Sequence, residues 1–358
     1  LRDRSVTALD RARDENAEAI AMYTYWQFIA HRQMLAAHEL FSRRGALLGG
    51  DLAFSPGRDS AEVWARQHLF DLTRSVGAPP DAFNPRGQRW GLPMPDWERM
   101  RAEGWPLLKR RIHRARELYD VIRIDHVVGL FRTFNFGPDK KEDENGNGRF
   151  TPADQAGQRE QGESILGTIK EAAGPAAIIG EDLGSVPEWV RESMRKVGFP
   201  GYKVVRWEKD DSHGLKKGRY ANPAEYPVLS VATTGTHDTE TMAVWWRISR
   251  PDERRNLLES LGLDSGVDGA GGRLDESMLG AILEKLYAAP SILSIEPLQD
   301  LFGWDARINH PGTVGPGNWS WRLPATIADL MGNSAIMRQA EKLSAIARRT
   351  GRFDEPGA

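Results

Sequence analysis

The sequence predicts an α/β fold in which a parallel sheet with crossover helices closes as a barrel. Three observations predict it. Short β-branched runs alternate with longer helical patterns, as a parallel sheet with crossover connections requires. The runs end repeatedly in acidic or polar residues, and α/β barrels carry their chemistry at the carboxyl ends of their strands. No Gly-x-Gly-x-x-Gly follows any run, so an open dinucleotide-binding sheet has no support. The 358 residues, 40% hydrophobic and 27% charged, suffice for one large domain or two small ones.

In chain order, residues 1 to about 43 read as helix, with Ile20, Tyr23, Trp26 and Ile29 at near-helical spacing and no Gly or Pro. Gly45 to Asp51 is the first short strand, ending in an acid. Ser60 is a helix N-cap candidate. Ala78 to Asp81 and Pro93 to Pro95 mark a long loop region, whose aromatics Phe83, Trp90 and Trp97 argue against disorder. Residues from about 96 to 119 are helical.

Val121 to Gly129 is the organising stretch. Strand side chains alternate, so Ile122 and Ile124 share one face while Arg123 and Asp125 share the other. An ionised Arg and Asp on the inner face of a buried strand are costly without a partner or a task. Pro138 to Asp154 is polar and Gly-rich and reads as a surface loop. Its Asp143 to Gly148 run lacks the spacing of a calcium loop. Ser164 to Ala173 and Pro187 to Lys196 are helices. Strands are expected to end at Glu181, Trp207, Asp238 and Ile295, and the tail from about 325 is helical. The count is six strands, ending near Asp51, Asp125, Glu181, Trp207, Asp238 and Ile295. A complete eight-stranded barrel needs two more.

Composition excludes several functions. The formal net charge is -2 without a dominant basic block, so neither nucleic acid nor an anionic membrane is an expected partner. There is no cysteine, which excludes disulfides, thiolate metal sites and a Cys nucleophile and is compatible with a cytoplasmic setting. No apolar run approaches the roughly 18 residues of a membrane span.

Asp125, Glu181 and Asp238 stand at three strand ends. Glycoside chemistry needs two carboxyl groups at the scissile bond, one ionised and one protonated. Arg123 favours the ionised form of Asp125, and neighbouring carboxylates push Glu181 towards the protonated form. A third acid can hold sugar hydroxyls and stabilise positive charge on the ring.

Arg123-Ile-Asp125-His126, Gly180-Glu181-Asp182-Leu183-Gly184 and Thr234-Gly-Thr-His237-Asp238-Thr239 resemble the catalytic blocks of the 4-α-glucanotransferases (amylomaltases or disproportionating enzymes) of glycoside hydrolase family 77. Gly50-Asp51 with Asp59-Ser-Ala-Glu-Val-Trp64, and Pro79-Pro80-Asp81 with Gly87-Gln88-Arg89-Trp90-Gly91, agree with further family segments. So do Pro297-Leu-Gln299-Asp300, Asn309-His-Pro311-Gly312 and Gly317-Asn318-Trp319-Ser-Trp321-Arg322. The resemblance runs in order from about residue 20 to 325.

The resemblance implies a (β/α)8 barrel of the glycoside hydrolase type, as one domain over 1–358 with inserted segments near 60–118 and 250–290. It implies retaining transfer of α-1,4-glucan segments between maltooligosaccharides, with glucose or maltose as acceptors, in the cytoplasm and with no cofactor or metal. Asp125 would be the nucleophile, Glu181 the general acid/base and Asp238 the transition-state stabiliser. Arg123, His237 and Asp51 would support substrate and nucleophile, and Gln88, Trp90 and Asn309 would line sugar subsites. Trp90 could equally pack within its loop. Asp182 reads as structural, and Gln299 and Asp300 as either functional or strand-capping.

Departures touch sugar-contact regions. Val127 and Val128 stand where the family has an aromatic and Arg, and Ala82-Phe83 where it has an aromatic pair. An α-glucan hydrolase or an inactive glycan-binding fragment are the alternatives. The family pattern places the first two barrel strands before Leu1. The expectation is therefore an incomplete barrel, open between the strands ending near Asp51 and Ile295, and poor folding and little activity of 1–358 by itself.

Overall fold

Each of the six expected runs forms a parallel strand, and the described residues hold four further strands that were not expected. The computed structural model describes residues 1–80, 85–138, 148–209, 219–263 and 273–353. Among these, the strands are β1 (Gly49–Leu52), β2 (Phe70–Ala78), β3 (Gln88–Pro95), β4 (Val121–Ile124), β5 (Thr133–Phe136), β6 (Arg149–Thr151), β7 (Ala177–Gly180), β8 (Gly201–Val204), β9 (Ser230–Thr233) and β10 (Leu293–Ser294). The chain divides into two units, Leu1–Phe199 and Pro200–Ala358.

In the first unit, β1, β4 and β7 form a parallel sheet in the order β1-β4-β7. Asp51 pairs with Arg123, and Ile124 with Gly180. Ile122 and Ile124 are buried in a core with Ile165, Leu166 and Ile169 of the helix Gln155–Ala173. Each such side chain contributes roughly 1.5–3 kcal/mol by leaving water, which fixes the register and the face that Arg123 must take. Asp120 orients the entrance of the sheet. One carboxylate oxygen accepts the Leu48 amide at 2.8 Å and the other meets His38 Nε2 at 3.0 Å.

The expected N-terminal helix is two, Val6–Glu15 and Ala17–Arg43, divided at Asn16. The second buries no side chain fully, and Tyr23, Trp26 and Phe28 are exposed. Likewise the helix expected over 96–119 is two, Trp97–Ala102 and Pro106–Arg116, with Trp105 in a left-handed conformation between them. Ser60 caps the helix Ala61–Ala65 by accepting the Val63 amide at 3.2 Å.

The stretch from Ala78 to Pro95 departs from the expected loop. Much of it is sheet: β2 and β3 pair antiparallel, in a sheet of order β3-β2-β5-β6. Pro93 and Pro95 stand in the edge strand, where a missing N–H need not break a ladder bond. Residues 149–151, expected within a surface loop, form β6 against β5. The calcium-like run, the Ala82-Phe83 pair and the Gly-rich stretch 266–272 fall, apart from Gly148, outside the described residues.

In the second unit, β8, β9 and β10 form a parallel sheet of order β10-β9-β8. Its core gathers Val205, Ala232, Met242, Trp246, Leu257, Ile282 and Leu286. The tail is helical over Ile327–Gly332 and Ser334–Arg349.

Candidate active site

Alternation along β4 delivers Arg123 and Asp125 to the face opposite Ile122 and Ile124, as the sequence requires. Arg123 Nη1 lies 2.8 Å from both carboxylate oxygens of Asp51 and 3.0 Å from Asp125 Oδ1. The Asp51 and Asp125 side chains are 48% and 40% exposed. Ion pairs that open to water contribute only about 0–1 kcal/mol, so stability does not account for the cluster. It leaves the Asp125 carboxylate accessible and oriented.

Glu181 stands at the exit of the neighbouring strand. Its N–H donates to Ile124 O at 2.9 Å, continuing the ladder one residue beyond β7. The carboxylate accepts the His126 amide on Oε2 at 2.8 Å and the Leu183 amide on Oε1 at 2.7 Å. Asp125 and Glu181 therefore emerge at the same end of adjacent strands. The Glu181 carboxyl is pushed up to about 7, chiefly by burial. The Leu183 amide, the Arg123 charge and the His126 amide oppose the shift, while the Asp125 charge adds to it. The sequence points to neighbouring carboxylates as the cause. Their repulsion is present, but desolvation is the larger cause.

His126 makes this geometry possible. Its φ of 47° is left-handed, which turns its N–H towards Glu181. Such a conformation costs a non-Gly residue roughly 1–2 kcal/mol, and here the ring is fixed by its neighbours. Phe54 and Trp90 meet it edge-on, with centroids 5.5 and 5.0 Å away. Burial pulls its pKa down to about 4, so the imidazole is neutral at pH 7. Gly129 leaves room for the ring: a Cβ there would lie 2.5 Å from His126 Cδ2. Trp90 also donates its indole N–H to Gln88 Oε1 at 3.3 Å. Trp90 thus packs against the acid-bearing turn and is half-buried.

Asp182 turns the other way, and its carboxylate accepts Arg191 Nε at 2.9 Å. This agrees with a structural role. Asp300 is likewise tied down, accepting the Thr234 hydroxyl at 2.6 Å and the Met242 amide at 2.7 Å.

The second unit gathers its own candidates beyond β9. Asp238 Oδ1 accepts Asn309 Nδ2 at 2.6 Å, and His237 Nε2 lies 3.4 Å from Asp238 Oδ2. The His237 ring stands 5.1 Å from the exposed Trp319, centroid to centroid. Asp238, His237 and Asn309 are thus one cluster, as Asp51, Arg123, Asp125 and Glu181 are in the first unit. Among the described residues, no group of three or more His, Cys, Asp or Glu side chains could hold a metal ion.

A family profile described as 4-alpha-glucanotransferase, of glycoside hydrolase family 77, matches residues 1–327. The chain belongs to this family. It is 32% identical over 331 residues to the 4-alpha-glucanotransferase of Chlamydia muridarum, covering 89% of this chain and 60% of the relative. The Thermus thermophilus 4-alpha-glucanotransferase is 32% identical over 336 residues, 90% of this chain and 63% of the relative. The amylomaltase from Streptococcus agalactiae, solved in complex with acarbose, superposes with a TM-score of 0.82 at 27% identity, over 98% of this chain and 67% of that one. This family 77 chain spans about three fifths of the length of the curated relatives it matches.

The sequence motifs include His126 without indicating a task for it, and they do not reach Arg307. A left-handed residue just beyond a strand, as His126 is beyond β4, has no periodic signature. Arg307 stands two residues before Asn309, and that spacing was its available signal.

Proposed function

We propose that the protein is a retaining 4-α-glucanotransferase acting on α-1,4-glucans and maltooligosaccharides. The observation that carries this reading is the contrast between two carboxyl groups at the ends of adjacent strands. Asp125 is open and held by a guanidinium, whereas Glu181 is buried and keeps its proton up to about pH 7. Their environments separate the nucleophile from the acid.

In the first half-reaction, Asp125 attacks the anomeric carbon as Glu181 passes its proton to the departing glycosidic oxygen. A covalent glycosyl ester forms and the C–O bond breaks. In the second, an acceptor 4-hydroxyl gives its proton to Glu181 and attacks the same carbon, releasing Asp125. Glucose or maltose can be that acceptor. Asp238, steadied by Asn309 and adjoined by His237, is the proposed holder of sugar hydroxyls and stabiliser of ring charge. Arg123 and Asp51 orient the nucleophile, and Gln88 and Trp90 are proposed sugar contacts. No step calls on a cofactor or metal.

The resemblance to family 77 also supports assigning the six parallel strands to a single (β/α)8 barrel domain with inserted segments. A cytoplasmic setting fits the absence of cysteine. Among the described residues, no helix is long and apolar enough to cross a membrane.

The test is product analysis on the full-length protein with maltotriose. Transfer gives glucose and a ladder of longer glucans. Reducing-end release without longer products would replace this reading with hydrolysis.

A further inference from the structure

We infer that Arg307 is a positioning residue whose guanidinium fork clamps Asp238 and Asn309 together and so fixes the Asp238 carboxylate for glycosyl transfer. The inference rests on the transferase reading above and adds to it a residue outside the expected sugar contacts.

Four hydrogen bonds close the arrangement. Arg307 Nη2 donates to Asp238 O at 2.6 Å and Arg307 Nε donates to Asn309 O at 2.7 Å. The Asn309 side chain donates to Asp238 Oδ1 at 2.6 Å, and its backbone N–H donates to His237 O at 3.2 Å. One planar group thus holds the main chain of both partners in the carboxylate–amide contact. Two donors in a fixed fork suit Arg, since a Lys ammonium is a point charge on a flexible stem.

The clamp is anchored from behind. Arg307 Nη1 lies 3.8 Å from Glu240 Oε2, and Glu240 Oε1 lies 3.8 Å from Arg206 Nη1. Arg206 is 1% exposed and donates through Nη2 to Thr239 Oγ1 at 2.7 Å and Glu240 O at 2.5 Å. A buried guanidinium is expensive unless paired. Here it is bound to the residues that directly follow Asp238. Asp238 has a 42% exposed side chain. An open carboxylate on a turn has rotamers to choose from, and misplacement by about 1 Å can cost a site roughly 100-fold. The clamp removes that freedom.

The test compares Arg307→Lys, Asn309→Ala and the double variant in the full-length protein, with thermal unfolding recorded beside kinetics. Arg307→Lys keeps a cation facing Glu240 but loses the fork. A role limited to charge balance leaves its kcat unchanged, and that result overturns the inference. Positioning lowers kcat by about 10-fold or more with KM within about twofold. Both residues act on Asp238, so the double variant loses less than the product of the two single losses. Multiplicative losses overturn the clamp.

A readout without turnover accompanies these. The Asn309 side-chain amide protons are followed by NMR: slow exchange in the wild type and fast exchange in Arg307→Lys are expected. Equal protection overturns the inference, whether or not the wild type transfers glucans. A wild type that holds Asn309 but transfers nothing counts against the transferase reading alone. Arg307→Gln, which keeps an N–H donor, replaces the Lys variant if that fails to fold.

Discussion

Glu181 takes the backbone N–H of His126 on its Oε2 at 2.8 Å, and His126 is the residue that follows Asp125. The proposed acid and the proposed nucleophile are therefore linked through one turn of main chain. Two titratable groups here, the buried Glu181 and the partly buried His126, pull stability in opposite directions with pH. Glu181 is raised from 4.5 to about 7, so between those values the unfolded chain ionises while the folded chain keeps the proton. Stability from Glu181 is complete below 4.5 and lost as pH rises through about 7. His126 is lowered from 6.5 to about 4, so its contribution is complete above 6.5 and lost as pH falls through about 4. The two slopes oppose each other in the overlap. Glu181→Gln should leave the His126 slope uncovered, with stability rising from about pH 4 to 6.5 in denaturant melts. A variant profile parallel to the wild type would refute this assignment.

Turnover should follow the Glu181 proton. If the proposed transfer holds, kcat/KM for maltotriose should fall about tenfold per pH unit above the Glu181 value, which is about 7. A basic limb beginning well below pH 6 would contradict the role.

Asp125→Asn removes the carboxylate proposed to attack while keeping its shape. Transfer should fall by several orders of magnitude, since the covalent step is lost. Substantial residual ladder formation would point to another nucleophile.

Arg123 Nη1 bridges the Asp51 and Asp125 carboxylates. Arg123→Met should lower kcat by about 10²-fold, because the Asp125 carboxylate then loses the guanidinium that orients it. Adding Asp51→Asn removes one of the two charges and should restore part of the activity, so the pair is coupled rather than additive. An Asp51→Asn change that deepens the defect would count against the shared-cation account.

Gly129→Ala tests the His126 seat. The new Cβ would meet His126 Cδ2 at 2.5 Å and Phe54 Cε2 at 2.7 Å. Overpacking of this kind costs about 1–3 kcal/mol, and displacing the ring should loosen the His126–Glu181 bond. Chemical denaturation should show the destabilisation, and the basic limb of kcat/KM should move. A variant as stable as the wild type would show that the ring has room to spare.

The strands and their faces could be read from the sequence because their causes are local. Ile122, Arg123, Ile124 and Asp125 alternate by the geometry of one extended chain, and the runs ending at Asp51, Asp125, Glu181 and Asp238 carry the family blocks in order. The β2–β3 pair was not legible. Pro93 and Pro95 argue against a strand until its edge position is known, and that position is a property of the sheet.

What tertiary structure alone decided is why Glu181 keeps its proton and what holds the charged groups. The proton on Glu181 depends on burial and on an amide 55 residues away in sequence. The contact between Asp238 and Asn309 spans 71 residues, and Arg307 braces it from the same distant segment. A periodic pattern reports which face a side chain takes. It carries no record of the dielectric around that side chain or of the partner that a remote turn brings to it, because both arise only once the strands are packed.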